Sequence, residues 1–172
     1  MDEVTAAAER MHQVTKELSR RYQFRDRNAI CCHGLSVTQC YTLDALVDGG
    51  VLTVTALARH LFLAVSTVTR ILEPLERKDL VRRRQGTGDR REVRVAITPR
   101  GRALLGRIRA DLVATQRALI APLARAEREA VLKTLEGLVE AVTRWQEGCG
   151  GPGGCGPVSR RPGATRRAGG LR

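Results

Sequence analysis

The stretch 53-TVTALARHLFLAVSTVTRILEPLERK-78 decides the fold. Thr53 is a plausible cap for a short helix holding Leu57, Ala58 and Leu61. After the connector Phe62 to Val65, Ser66 is expected to cap a longer helix through about Lys78, with Val68, Ile71, Leu72 and Leu75 turned inward. Two short helices joined by a tight connector form a helix-turn-helix. Pro74 removes one backbone hydrogen bond from the second helix, so a bend is expected there, beyond the first turns. Two short segments follow, Leu80 to Arg84 and Glu92 to Ile97, and the second alternates Val93, Val95 and Ile97 with Glu92, Arg94 and Ala96. They read as strands joined by the turn-rich Gln85-Gly86-Thr87-Gly88-Asp89-Arg90-Arg91, a basic hairpin or wing. Residues 53–98 are thus a winged helix-turn-helix lobe.

Outward from this lobe the pattern is helical. Val4, Ala7, Ala8, Met11, Val14, Leu18 and Tyr22 recur at three- and four-residue steps, predicting a helix over residues 4–24. Arg25 to Leu35 breaks the pattern, and Ser36 with Gln39 forms a capping-box signature for a second helix to about Val47. Thr98-Pro99 starts a helix to about Ala121 with Leu104, Leu105, Ile108, Leu112, Leu119 and Ile120 as its stripe. The last helix, about Ala126 to Gln146, spaces Val131, Leu135, Leu138, Val142 and Trp145 by four, three, four and three, a seam that needs a partner surface. The expected architecture is mainly α with a small β-hairpin wing: one domain over residues 1–147, with helices 4–24 and 99–147 pairing two copies into a homodimer. Residues 148–172 hold nine of the 17 glycines and five arginines, and read as a disordered basic tail.

Charge points to a polyanion. The net charge is +12, of which +7 lies in residues 77–102 and +5 in residues 148–172, leaving the remainder neutral. Aromatic content of 3% argues against a base-stacking platform for single strands, so duplex DNA read by a helix fits better. No apolar run approaches the ~20 residues of a membrane span, and the first residues lack the features of a secretory signal, so a cytoplasmic protein is expected. The absence of a Cys-x-x-Cys, a glycine-rich nucleotide cradle or a His-Glu metal motif argues against an enzyme.

Ser66, Thr67, Thr69 and Arg70 occupy the turns that enter the major groove in helix-turn-helix proteins. Hydroxyls donate to phosphates or base edges, and arginine grips guanine with two hydrogen bonds. Arg84 lies at the base of the hairpin. Arg90 and Arg91 at its tip would reach the adjacent minor groove, with Asp89 orienting a nearby arginine.

The run Leu57-Ala58, Ser66-Thr67-Val68-Thr69-Arg70, Leu75-Glu76, Leu80-Val81, Asp89-Arg90-Arg91 and Thr98-Pro99-Arg100-Gly101 resembles the MarR family of winged-helix regulators. The resemblance spans about residues 4–147 in element order, with the specific motifs in 53–102. It implies a dimer held by terminal helices, a palindromic operator in double-stranded DNA, and repression until a ligand or thiol modification reshapes the dimer. The family's Asp-x-Arg wing element falls on Asp89 and Arg91. Asp79 stands where the family usually ends its recognition helix with glycine, and aspartate tolerates that left-handed conformation better than most residues.

Five cysteines are the unusual feature: adjacent Cys31 and Cys32 followed by His33, then Cys40, and Cys149 and Cys155 in the tail. In a reducing compartment they suit a sensor better than a disulfide framework. Three thiolates from Cys31, Cys32 and Cys40 would hold a soft species such as As(III), Hg(II) or Cu(I), with Zn(II) open if His33 or a tail cysteine adds a fourth ligand. Cys40 shares the expected buried face of Val37, Tyr41 and Val47, and a small core residue is the competing reading. No resident cofactor is required. Thiol oxidation, a phenolic ligand between helices, and an architectural protein that coats DNA without sequence preference are the alternatives.

Overall fold

The computed structural model describes residues 2–86 and 92–148. The elements are α1 (Glu3–Cys31), α2 (Val37–Gly49), β1 (Leu52–Thr53), α3 (Val54–His60), α4 (Val65–Arg77), β2 (Val81–Gln85), β3 (Val93–Ile97), α5 (Pro99–Ile120) and α6 (Arg125–Gly148). Among them no single helix is long and apolar enough to cross a membrane. The chain divides into two units, one through Glu129 and one from Ala130, so that most of α6 stands in the second.

Caps set most of the boundaries. Ser36 and Gln39 form both bonds of the capping box at α2, and Thr98 Oγ1 accepts from the Gly101 N–H at the head of α5. Thr53 caps α3 through the Ala56 N–H at 3.0 Å. Both α3 and α4 end in Schellman turns. In the first, Leu63 N–H donates to Ala58 and Phe62 N–H to Arg59; in the second, Leu80 donates to Leu75 and Asp79 to Glu76. The left-handed position falls to Phe62 and Asp79, each at φ 54°, a conformation that costs a residue with a Cβ about 1–2 kcal/mol.

Two expectations of local structure change. The first helix does not end at residue 24 but continues to Cys31. The reason is tertiary: Asp26 and Ile30 are buried, Arg25 pairs with Asp26 while lying 4.1 Å from the Tyr22 ring centre, and Tyr41 donates to Asp26 at 2.8 Å. Ser66 is not the cap of α4. Ala64 takes that place, with no side-chain bond, and Ser66 lies in the first turn. At Pro74 the helix runs on to Arg77; what is lost is the N–H that the Arg70 carbonyl would have accepted.

The wing strands pair antiparallel from Val81↔Ile97 to Gln85↔Val93. A third strand, β1, which alternation could not reveal in two residues, joins β3 on its other edge through Leu52↔Val95 and Thr53↔Arg94. One core unites these parts: Ile30, Leu43 and Leu46, then Leu57, Val68, Leu72 and Leu75, with Val81 and Val95 from the sheet and Leu105 and Ile108 from α5. Arg109 clamps α5 to α2 through Asp44 at 2.6 Å and Asp48 at 3.2 Å. Beyond Leu112 the expected α5 stripe leaves the core, and Leu119 is exposed. The α6 residues Val131, Leu135, Val142 and Trp145 are exposed too, as are Val4, Met11, Val14 and Leu18 of α1.

Candidate nucleic-acid interface

Helices α3 and α4 meet at 105°, inside the 90–120° range of helix-turn-helix pairs. Val68, Leu72 and Leu75 anchor one side of α4 in the core, which leaves Ser66, Thr67 and Arg70 exposed on the other. With Ala64 as the cap, the Val65 and Ser66 N–H groups lack an intrahelical acceptor. An uncapped, positively polarised helix end is a natural seat for a phosphate. Thr69 is half-buried, and its Oγ1 donates to the Val65 carbonyl at 3.0 Å, which leaves that hydroxyl only acceptor capacity toward a partner.

The wing is tied to α4 by an ion pair that local pattern does not reveal. Arg83 Nε donates to Glu76 Oε2 at 2.7 Å, and the Arg83 N–H donates to the other carboxylate oxygen at 3.2 Å. These bonds hold the Glu76 carboxyl below its ordinary range. The contribution is therefore complete above the ordinary carboxylate value and is lost as pH falls through the lowered one. On the opposite face of the sheet Arg84 pairs in register with Arg94, and with Arg82 they line a cleft of about 560 Å³ bounded by Val51, Ile97 and Pro99. Sequence reasoning singled out Arg84 alone; the alternation of residues 82 and 84, and the register of 94, place the others beside it. Asp89, Arg90 and Arg91 lie outside the described residues.

The cysteines separate into two environments. Cys31 ends α1 and Cys32 caps it; both are exposed, and both thiols donate to one carbonyl, that of Asn28, at 3.2 and 3.3 Å. Cys31 is thus helical rather than part of a loop. Cys40 is 1% exposed in the core. Burial, reinforced by the Asp44 and Asp26 charges, pushes its thiol up to about 12. The His33 ring is paired elsewhere, its Nε2 lying 3.0 Å from Asp111 Oδ2 on α5. Among the described residues no three His, Cys, Asp or Glu side chains come together as a metal site, so the expected Cys31, Cys32 and Cys40 trio is not assembled within one chain. Cys149 and Cys155 lie outside the described residues. The loop after α1 is also held to α4, since Lys78 at the end of that helix donates its ammonium to the Gly34 carbonyl.

These environments predict reactivity. With iodoacetamide at pH 8, peptide mapping should find Cys31 and Cys32 alkylated in the native protein and Cys40 at least about a hundredfold slower, because a raised thiol pKa depletes the thiolate and burial denies access. Equal rates would show that Cys40 is reachable.

Residues 35–93 match the MarR family model. In fold, the chain is similar to the transcriptional regulator BldR from Sulfolobus solfataricus, at 27% identity over 84% of this chain and 99% of that one, with a TM-score of 0.69. A MarR-family transcriptional regulator from Silicibacter pomeroyi gives 28% identity over 75% and 87%, TM-score 0.61. A MarR family protein from Bacillus stearothermophilus gives 22% over 83% and 99%, TM-score 0.75. Comparison with curated proteins gives no match. The helix-turn-helix, the three-stranded wing sheet and the family match across residues 35–93 together make this chain similar in fold to the MarR-family winged-helix regulators.

Proposed function

We propose that the chain is a dimeric, cytoplasmic transcriptional repressor that reads a palindromic operator in duplex DNA with α4 and the wing. It leaves that operator when Cys31 and Cys32 take up a soft metal or metalloid such as As(III). The observation that carries the DNA-binding part is the exposed, uncapped first turn of α4 with Ser66, Thr67 and Arg70 on it, backed by a buried face. Dimerisation is supported by the apolar residues that α1 and α6 leave exposed, Trp145 at 69% among them; a second copy would cover them.

The signalling part is supported by position. Cys31 and Cys32 immediately precede the loop that Lys78 ties to the end of α4 and that His33 ties to α5. A ligand that rearranges the end of α1 would pull on both ties, shifting α4 relative to its partner copy in the dimer. Because two half-sites a helical turn apart must be met together, a small shift in spacing costs affinity.

The test is a release titration of reduced, full-length protein from duplex DNA of its own upstream region, read by fluorescence anisotropy against arsenite, mercury, zinc and peroxide. The expected result is specific binding and release by a thiophilic species, with Cys31→Ser/Cys32→Ser binding DNA normally and not being released. Release of the double variant like the parent overturns the thiol signal and leaves the DNA-binding reading standing. Release by peroxide alone would assign thiol oxidation instead. Equal affinity for random and upstream duplex would overturn the operator reading in favour of an architectural role.

A further inference from the structure

We propose that Cys31 and Cys32 form, within a single protomer, a two-point chelator whose ligand class is the monosubstituted trivalent arsenical, an organic group on As(III) with two exchangeable oxygens. This rests on the reading of the pair as the input site and names what that site takes.

Consecutive residues of a helix ordinarily project their side chains about 100° apart around its axis. Here they do not diverge: Cys31 Sγ reaches the carbonyl three residues back and Cys32 Sγ the carbonyl four residues back, and that carbonyl is the same one, Asn28 O. Two exposed sulfurs therefore already point to one side of the helix end, and little rotamer freedom is lost when a single atom bridges them.

Denticity then selects the ligand. Zinc asks for four donors, and inorganic As(III), with three exchangeable positions, is best satisfied by three thiolates. Among the described residues neither set is present near the pair. Cys40 is sealed in the core with its thiol held protonated, and His33 is engaged with Asp111. Linear two-coordinate ions need their sulfurs on opposite sides, whereas these share a side. A direct disulfide between neighbours strains the intervening peptide. Insertion of a pyramidal arsenic opens the ring and keeps the bent S–As–S angle that convergent sulfurs supply. In the step, two As–O bonds break and two As–S bonds form; each thiol proton leaves on a hydroxide as water, arsenic remains trivalent, and no oxidant is consumed.

The experiment uses the full-length reduced protein without DNA, phenylarsine oxide as probe, native mass spectrometry for stoichiometry and thiol counting for consumption. Cys149→Ser/Cys155→Ser removes the tail pair as an alternative chelator. The expected result in that background is one phenylarsenic per protomer with two thiols consumed, and loss of at least about a hundredfold in affinity for either Cys31→Ser or Cys32→Ser, since one sulfur forfeits the intramolecular second bond. Arsenite should bind at least about tenfold more weakly than phenylarsine oxide. An adduct that survives Cys31→Ser/Cys32→Ser, a stoichiometry of one arsenic per dimer, or arsenite bound as tightly as phenylarsine oxide would each overturn the proposal. Operator release is measured separately: a tight adduct that leaves DNA binding unchanged retains the chelator and removes its role as the input.

Discussion

Arg70→Ala is expected to weaken binding to the operator by about tenfold to a hundredfold, with a much smaller loss on random duplex of the same length. Arg70 is exposed on α4, on the face opposite Val68, Leu72 and Leu75, so its removal should leave the melting temperature unchanged. A two-pronged contact to a guanine edge is worth about 1–3 kcal/mol of discrimination, which is where the range comes from. Arg70→Lys separates charge from geometry. The ammonium keeps a counterion-releasing charge near the phosphates but lacks the planar fork, so it should restore the salt dependence and only part of the sequence preference. Anisotropy titrations on operator and random duplex at two salt concentrations check both. An equal loss on the two DNAs would reassign Arg70 to backbone contact and move sequence reading to Ser66, Thr67 or the wing.

Gly101→Ala should lower stability by about 3 kcal/mol or more and the melting temperature by roughly 10 °C, and operator binding should fall with it. A Cβ on Gly101 would lie 2.2 Å from the Leu80 carbonyl oxygen and 2.9 Å from Ile97 Cγ1. The neighbour cannot give way, because that carbonyl accepts the Thr98 N–H at 3.0 Å while Leu80 is buried and closes the Schellman turn of α4. Thr98 in turn caps α5 and donates its hydroxyl to the Asp79 carbonyl at 2.6 Å. One atom therefore disturbs the joint between the recognition helix, the wing and α5. Gly106→Ala on the same helix is the control: nothing lies within 4 Å of its Cβ, and the gain in helix propensity should stabilise by up to about 1 kcal/mol. Thermal unfolding of the pair decides the matter, and an unchanged melting temperature for Gly101→Ala would mean that α5 does not pack this closely on Leu80.

The DNA-reading half was legible because its signals are short-ranged. Thr53, Ser36 with Gln39, and Thr98-Pro99 each announce a helix start within four residues, and the structure uses all three as caps. Asp79 was read as a left-handed residue and is one. The Ser66 cap was misplaced because a capping hydroxyl beside an apolar run looks the same two residues early or late; the Schellman turn through Phe62 sets where α4 begins. The end of α1 was missed for a different reason. Arg25, Asp26 and Arg27 look like a solvated break, and only the Tyr41 hydroxyl, brought in from α2 to join the Tyr22 ring one turn back on α1, shows that charge to be a part-buried ion pair.

What sequence alone determined about this protein is most of its elements and their amphipathic faces, including the apolar seam of α6, since periodicity and caps act over a single turn or pleat. What only the tertiary structure decided is which groups share an environment. Cys31, Cys32 and Cys40 are equivalent as letters, yet burial raises one thiol and a shared carbonyl joins the other two at the surface. The same holds for Arg83, one arginine in a run of three, which the turn from α4 into β2 brings to Glu76 seven residues back. Solvation and pairing are properties of neighbours in space, whether these lie one helical turn away, as Asn28 does from Cys31, or 65 residues away, as Asp44 does from Arg109.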